Sequence, residues 1–411
     1  MRRATGAQAV VSVAGMALDS EARAIPIEGA PEPDPQQAEL LERARRVVEE
    51  VAADAIAVGE REERFPHEIV PAFREAGLIG GTIPVELGGL GWDLLTHLLV
   101  IEEVSRTSQV LGSFLAVPSG PVGAGLLAFG TPEQQERWLR PLASGDTLAG
   151  YGLTEPRSGT DAARLATRAE RVDGGWALHG AKRWIDWTGL GDFFLVFART
   201  DPSEPGARGI TGFVVERGTP GFEMTQQKGK LGLRALSVGE LRFDGCVVPD
   251  ENRIGAEGQG FKVAMSALED TRLQIAARIC GGLASCLDES VEHVRGRELF
   301  GRRLADFQLS QTKIADMVVA VQAARALTYQ AARRKAAGLP ATREVLCAKL
   351  YAQEAYARVS HDAVQLHGGS GIIDESLVDR HFRDAKISEL TGGTNEILRV
   401  LVAEQVTGRS R

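Results

Sequence analysis

The hydrophobic period of this chain changes twice along its length. From Glu39 onward, Leu40, Leu41, Ala44, Val47, Val48, Val51, Ala52 and Ala55 recur at helical spacing and form one apolar stripe. Helical segments parted by Gly/Pro loops continue to about Gly145, clearest from Glu68 to Glu75 and from Leu94 to Thr107, and Thr131 stands as a cap before Pro132. Between about Leu148 and Glu257 the apolar strings shorten and Gly, Asp and Pro punctuate them. Asp173, Gly174 and Gly175 read as a hairpin turn between Arg168–Val172 and Trp176–Leu178. Phe193–Ala198 and Gly212–Val215 read as buried strands, and Leu241–Phe243 alternates before Cys246–Pro249, in a domain of several short strands. After Phe261 the helical period returns, with Ile314, Met317, Val318, Val321 and Ala324 on one stripe. Segregated runs of helices, strands and helices argue for an α+β chain of separately packed layers, not an alternating βαβ sheet. The expected division is a flexible leader over 1–36, a helical domain over 37–147, a β domain over 148–257 and a helical domain over 258–411.

Composition removes several function classes. A net charge of −8 without a Lys/Arg block gives no footing for a polynucleotide. No apolar run is read as reaching the ~18 residues of a membrane span. The N-terminal stretch up to Leu18 loosely imitates a signal peptide, but Gln8, Ser12 and Gly15 break it, and it reads as an unstructured tail. Cys246, Cys280, Cys286 and Cys347 form no CxxC pair and read as small thiols in a reducing cytoplasm. The sequence contains no GxGxxG, no GxxxxGK[ST], no HExxH and no GxSxG, and its seven histidines are scattered, so neither a dinucleotide fold of that type nor a metal site is expected.

Three glycine-rich segments remain. Tyr151 to Asp161 exposes backbone N–H groups that suit an anion or an electron-rich ring, or forms a surface loop. Arg297 to Gly301, followed by Gln308, offers a guanidinium fork for a phosphate, or a solvated helix end. Gln365 to Gly371, with Gly392 to Glu396 downstream, lets backbone approach a ligand closely, or makes a tight turn.

Taken in order, these segments resemble the acyl-CoA dehydrogenase family across roughly residues 38 to 408. The resemblance includes Ile83 and Pro84 with Gly88–Gly91, then Leu153–Pro156 with Ser158–Asp161, then Gly180–Ile185 and the strand Phe194–Thr200. It continues through Arg297–Gly301, Gln308, Gln365–Gly369, Arg383–Lys386 and Gly393–Glu396. It implies an N-terminal helical domain, a middle β-barrel-like domain and a C-terminal four-helix bundle, with FAD between the last two and a neighbouring subunit completing the site.

Position by position, the resemblance implies that Tyr151, Leu153, Thr154, Gly159 and Thr160 line the flavin ring and that Trp184 covers it. Arg297, Phe300 and Gln308 are implied to hold the pyrophosphate and adenosine part across a dimer interface, Gln365, Gly368 and Gly369 to meet the adenosine end, and Thr394 and Glu396 to touch the cofactor. Thr160, Glu269 and Arg272 are implied to follow the acyl and pantetheine channel of an acyl thioester, on CoA or a carrier protein. A homodimer or homotetramer is expected, with an electron-transfer flavoprotein or oxygen as acceptor.

The pattern departs where the chemistry is carried. The family's proton-abstracting Glu stands immediately before the Gly-Thr pair, where this chain has Gly392; a minority place it before the arginine matched by Arg272, where this chain has Thr271. The residue after the Trp-Ile pair, usually a Thr or Ser whose hydroxyl meets flavin N5, is Asp186. Asp186, Asp270 and Glu269 are the candidate replacement bases, with Asp186 first; Asp270 is one residue from the helical base position, a turn of about 100°. Three readings stay open: α,β-desaturation with a relocated base; an oxidase, monooxygenase or non-redox reaction on the same fold; and a non-catalytic FAD-binding partner subunit.

Overall fold

The computed structural model describes residues 29–408, except 205 and 375. The first helix, Pro35–Val47, starts at Asp34, whose side chain accepts from the N–H groups of Gln36 and Gln37 in a capping box. Its stripe continues through Val48–Glu62, burying Leu40, Ala44, Val48, Ala52 and Ile56 in the N-terminal core with Phe65, Phe73, Phe114 and Trp138. Thr131 caps Pro132–Gln134 through a second capping box. Most of the leader expected over 1–36, residues 1–28, lies outside the described residues.

Gln109–Phe129 corrects one expectation. This stretch is long and apolar enough to cross a membrane by length and composition. Ser113, Pro118 and Ser119 hide the run in the sequence. It folds as two short helices, Gln109–Ala116 and Pro121–Phe129, and 72% of its most apolar window is buried inside the protein.

The middle of the chain is a mixed eight-stranded sheet: β1 Ala149–Gly152, β2 Arg168–Val172, β3 Gly175–Asp186, β4 Phe193–Arg199, β5 Ile210–Glu216, β6 Phe222–Gln226, β7 Val238–Pro249 and β8 Arg253–Ile254. The order is β6-β7-β3-β2-β4-β5-β8, with β1 added in parallel to β4. β3 and β7, at twelve residues each, are longer than the short strands expected, and β7 runs unbroken through Asp244 and Gly245. Cys246 pairs Leu178 while Asp244 pairs His179, so Gly245, at φ 62°, is absorbed as a bulge and not a turn. A second bulge lies on β3, where Arg183 pairs Glu240 and Ile185 pairs Gly239; it leaves Trp184 unpaired at φ 62°.

Three long helices, Leu268–Gly296, Gln308–Ala336 and Thr342–His367, build the C-terminal layer with Leu377–Ser388 and Asn395–Thr407. Their seam joins Ile279, Cys280, Leu283 and Leu287 to Met317, Val321, Ala324, Ala352, Tyr356 and Val359. The 268–296 helix also meets the N-terminal helix Leu94–Ser105, and at Gly281 a Cβ would stand 2.2 Å from the Glu102 carbonyl oxygen, so only glycine permits that approach. Trp187, just past β3, packs edge-on against Phe65 at 5.0 Å and lies 6.2 Å from Phe114. The sheet and the N-terminal layer therefore meet at the end of β3, beside Asp186, and the Arg278 charge reaches that carboxylate from the 268–296 helix.

Candidate active site

The loop between Ser388 and Asn395 carries the position of the absent glutamate. Gly392 and Gly393 take φ of 63° and 102°, left-handed values that most side chains avoid. A Cβ at 392 would stand 2.6 Å from Ile275 Cδ1 and 3.7 Å from Lys349 Nζ. Two cations grip this loop by its carbonyl oxygens: Lys349 Nζ donates to Thr391 at 2.5 Å and to Gly393 at 2.6 Å, and Arg272 Nε donates to Gly392 at 3.3 Å. Lys349 is fully buried, and burial, then the Arg272 and Arg278 charges, push its ammonium down to about 7. Burial also lowers Arg272.

Asp186 ends β3, opposite Val238. Its side chain is exposed to solvent, yet the protein around it is dense enough for desolvation to count. That desolvation raises its carboxyl to about 6, against the opposing pull of Arg278 and Lys230. Among the described residues its carboxylate has no hydrogen bond and no ion pair. The other two candidates are engaged: Glu269 and Asp270 both pair with Lys335, at 3.3 and 3.4 Å, and Thr342 also donates to Glu269. Two residues separate Asp270 from Arg272, about 200° around a helix, so Asp270 faces away from the Gly392 loop.

The segment from Tyr151 to Thr160 lies against the Trp184 bulge, because Arg183 N–H donates to the Thr154 carbonyl at 2.9 Å. Tyr151 hydroxyl donates to the Ala264 carbonyl at 2.9 Å and its ring packs edge-on against Phe197, while Leu153 and Thr154 are half-buried and Gly159 and Thr160 exposed. Trp184 is 55% exposed, with the Arg183 guanidinium 4.7 Å above its ring. Glu155 clamps this loop from behind: it accepts from Ala166 and Thr167 N–H and forms a buried ion pair with Lys182 at 2.7 Å.

Thr394 is the residue before the Asn395–Thr407 helix, and Glu396 is exposed in its first turn. Arg297, Phe300 and Gln308 form a second group at the far end of the 268–296 helix, all exposed, Phe300 at 96%. His293 and His367 stack at 4.2 Å, which places this group beside exposed Gln365, Gly368 and Gly369 at the end of the 342–367 helix. Arg272 and Arg297 stand twenty-five residues apart on and just past one helix, about 38 Å. Within one chain the two groups do not share one site. Lys349, Arg278, Lys230 and the Glu155–Lys182 pair were not anticipated; the available signal was a charged residue inside an apolar run, as with Arg278 in Ile275–Cys280.

The chain matches the N-terminal, middle and C-terminal domains of acyl-CoA dehydrogenase over residues 34–146, 150–246 and 258–407. It is 37% identical to an acyl-CoA dehydrogenase of Bacillus subtilis, covering 91% of this chain and 98% of that one. It is similar to the solved butyryl-CoA dehydrogenase of Megasphaera elsdenii, with a TM-score of 0.88 and 34% identity over 92% of this chain and 99% of the other. A prolyl acyl carrier protein oxidase superposes with a TM-score of 0.87 and 30% identity, covering 92% of this chain and all of that one (100%). The meeting of layers beside Asp186, the glycine-rich loops and these matches agree: the chain is an enzyme of the acyl-CoA dehydrogenase family, the FAD-dependent oxidoreductases that act on acyl thioesters.

Proposed function

We propose that this enzyme desaturates an acyl thioester between its α and β carbons, with Asp186 as the proton acceptor. The observation that carries the reading is the state of that carboxylate: it is exposed at the end of β3 without a partner among the described residues, while Glu269 and Asp270 are both held by Lys335. With its carboxyl raised to about 6, Asp186 is ionised at neutral pH and more basic than an ordinary Asp. One Asp186 oxygen receives the α-proton; Arg278 and Lys230 stabilise the ionised form before it does.

The residues fit FAD. The β3 bulge turns Trp184 out of the sheet as an exposed aromatic platform, and nothing would meet a Cβ within 4 Å at Gly159, Gly368 or Gly369, so that backbone is open to a ligand. Tyr151, Leu153, Thr154, Gly159, Thr160, Trp184, Thr394 and Glu396 would hold the ring end. Bound there, FAD supplies the acceptor for the β-hydride. The 38 Å (about) separation of the second group supports a homodimer or homotetramer in which Arg297, Phe300, Gln308, Gln365, Gly368 and Gly369 of one subunit complete the site of another. Free thiols at all four cysteines suit a reducing cytoplasm.

The test is anaerobic bleaching of the flavin by butyryl-CoA and by carrier-protein butyrate. Asp186→Asn is expected to slow bleaching by roughly 10²–10⁴-fold at unchanged FAD content. Bleaching as fast as wild type removes Asp186 as base, and no bleaching by any thioester removes the desaturase reading. Likeness to a prolyl carrier-protein oxidase favours a second reading for the electron acceptor, oxygen in place of an electron-transferring flavoprotein; oxygen uptake during turnover decides it.

A further inference from the structure

Arg272, Arg278 and Lys349 converge beneath the Gly392 loop, and none of the three forms an ion pair within 4.0 Å among the described residues. Buried charges are ordinarily paired. Arg272 and Lys349 spend their donors on loop carbonyls. Arg278 is different. It is 7% exposed and donates through Nη1 to Ser113 Oγ, and its Nε is buried without an acceptor. Its position is built: Gln109 Nε2 donates to the Arg278 carbonyl at 2.9 Å, and a Cβ at Gly112 would stand 2.9 Å from Arg278 Cγ, so the stem lies flat on that glycine. Asp186 and Asp384 act on it only at longer range.

Placement along the helix says where the guanidinium lies. Arg272, Ile275 and Arg278 follow each other at three-residue steps on the 268–296 helix, each about 60° further around it than the last. Arg272 touches the Gly392 carbonyl, Ile275 lies against the Gly392 Cα, and Arg278 is the next residue inward, about 9 Å along the axis from Arg272. A buried guanidinium therefore lies one helical step inward of the residue that packs on Gly392.

We propose that Arg278 is a specificity-determining residue that receives a carboxylate carried on the far end of the substrate's acyl chain, so that this enzyme prefers short dicarboxylic thioesters to plain alkanoyl ones. The inference rests on the acyl-thioester reading above and narrows it. A carboxylate takes the donor at Nε and supplies the close ion pair that no side chain among the described residues makes with Arg278; a methyl terminus leaves both unmet.

The experiment is calorimetric titration of the FAD-loaded enzyme with glutaryl-CoA and with pentanoyl-CoA, which matches it in length but lacks the charge. Wild type is expected to bind glutaryl-CoA tighter by roughly tenfold or more. Arg278→Gln is expected to abolish that ratio, and Arg278→Lys to retain part of it. Equal binding of the two thioesters by wild type overturns the proposal while leaving the thioester reading standing. So does an Arg278→Gln enzyme that weakens both alike, the mark of a role in holding the fold together. Binding of neither thioester overturns the thioester reading, and this proposal with it.

Discussion

Lys349 Nζ donates to the Gly393 carbonyl oxygen across 2.6 Å, and this bond, with its companion to Thr391, ties the base-position loop to the buried face of the 342–367 helix. Lys349 is fully buried, has no carboxylate partner among the described residues and lies near Arg272 and Arg278, so it sheds its proton easily and its ammonium is pushed down to about 7. Loop geometry and protonation state are thus linked at one nitrogen.

The linkage has a sign. The ordinary value is 10.5 and the folded value about 7, so between those pH values the unfolded chain holds a proton that the folded chain has released. Stability conferred through Lys349 therefore rises with pH across that window, by at most about 1.4 kcal/mol per pH unit. Lys349→Met is expected to lack this slope, and to lose about 1–3 kcal/mol from its stranded carbonyls. Urea unfolding at several pH values from below about 7 upward measures both. Parallel slopes in the two proteins contradict the assignment.

Restoring the family's carboxylate should not be simple. Gly392→Glu must hold a side chain at φ 63° and push a Cβ to 2.6 Å from Ile275 Cδ1. The backbone cost is about 1–2 kcal/mol and the overpacking about 1–3 kcal/mol. We expect the single variant to be less stable by that order, and Gly392→Glu with Ile275→Ala to recover the packing part. Denaturant midpoints of the two variants separate the contributions.

The contrast between what the sequence declared and what it concealed has a physical basis. Leu40, Ala44, Val48, Ala52 and Ile56 are spaced so regularly that their burial is readable from period alone. Gly174, at φ 76°, makes the hairpin turn that the Asp-Gly-Gly run announces. Gly245 announced nothing, because a glycine at φ 62° serves a bulge as well as a turn, and only the partner strand decides which. The chemistry was half legible. Asp186 stood out as a carboxylate where a hydroxyl was expected, and Gly392 as an absence. Lys349 and Arg278 looked like ordinary helix charges, because their burial comes from neighbouring layers that close over them and leaves no mark on local spacing.

Asp186 should trade stability for function. Its carboxyl is ordinarily near 3.8 and is raised to about 6 in the fold, so the folded state is disfavoured once the group ionises. The penalty is absent below about 3.8, grows as pH rises to about 6 and persists above it. Asp186→Asn is therefore expected to melt higher than wild type near neutral pH and equally at low pH, while losing activity. Thermal melts at both extremes check it; a melting point that falls at neutral pH would show that Arg278 and Lys230 outweigh desolvation.

Trp184 offers a test that separates binding from folding. Its ring is 55% exposed and its contact with Arg183 is a surface one, worth about 0.5–1 kcal/mol. Trp184→Ala is expected to leave the apo-protein's unfolding nearly unchanged and to lower the flavin-to-protein absorbance ratio that survives desalting. Full flavin retention would remove Trp184 from the cofactor site.

The Glu155–Lys182 pair makes the opposite prediction, a large cost far from the reacting atoms. Both side chains are buried, their charged atoms are 2.7 Å apart, and Glu155 also accepts from the backbone of Ala166 at 2.6 Å and Thr167 at 2.9 Å. Burial works against both ionised forms; for Glu155 the ammonium and the N–H donors win and hold its carboxyl below the usual range, while Lys182 is drawn down to about 8. Lys182→Met leaves a buried carboxylate without its counter-charge, and such losses run to about 3–5 kcal/mol. Glu155→Gln keeps one acceptor for the loop but strands the ammonium. The double variant removes both charges, so its cost should fall well short of the sum of the singles. A double-mutant cycle in urea reads this directly. Because Glu155 shapes the loop from Tyr151 to Thr160, Lys182→Met should also lose flavin more readily than its stability alone explains. Additive stabilities with unchanged flavin retention would mean that the loop keeps its shape without the pair.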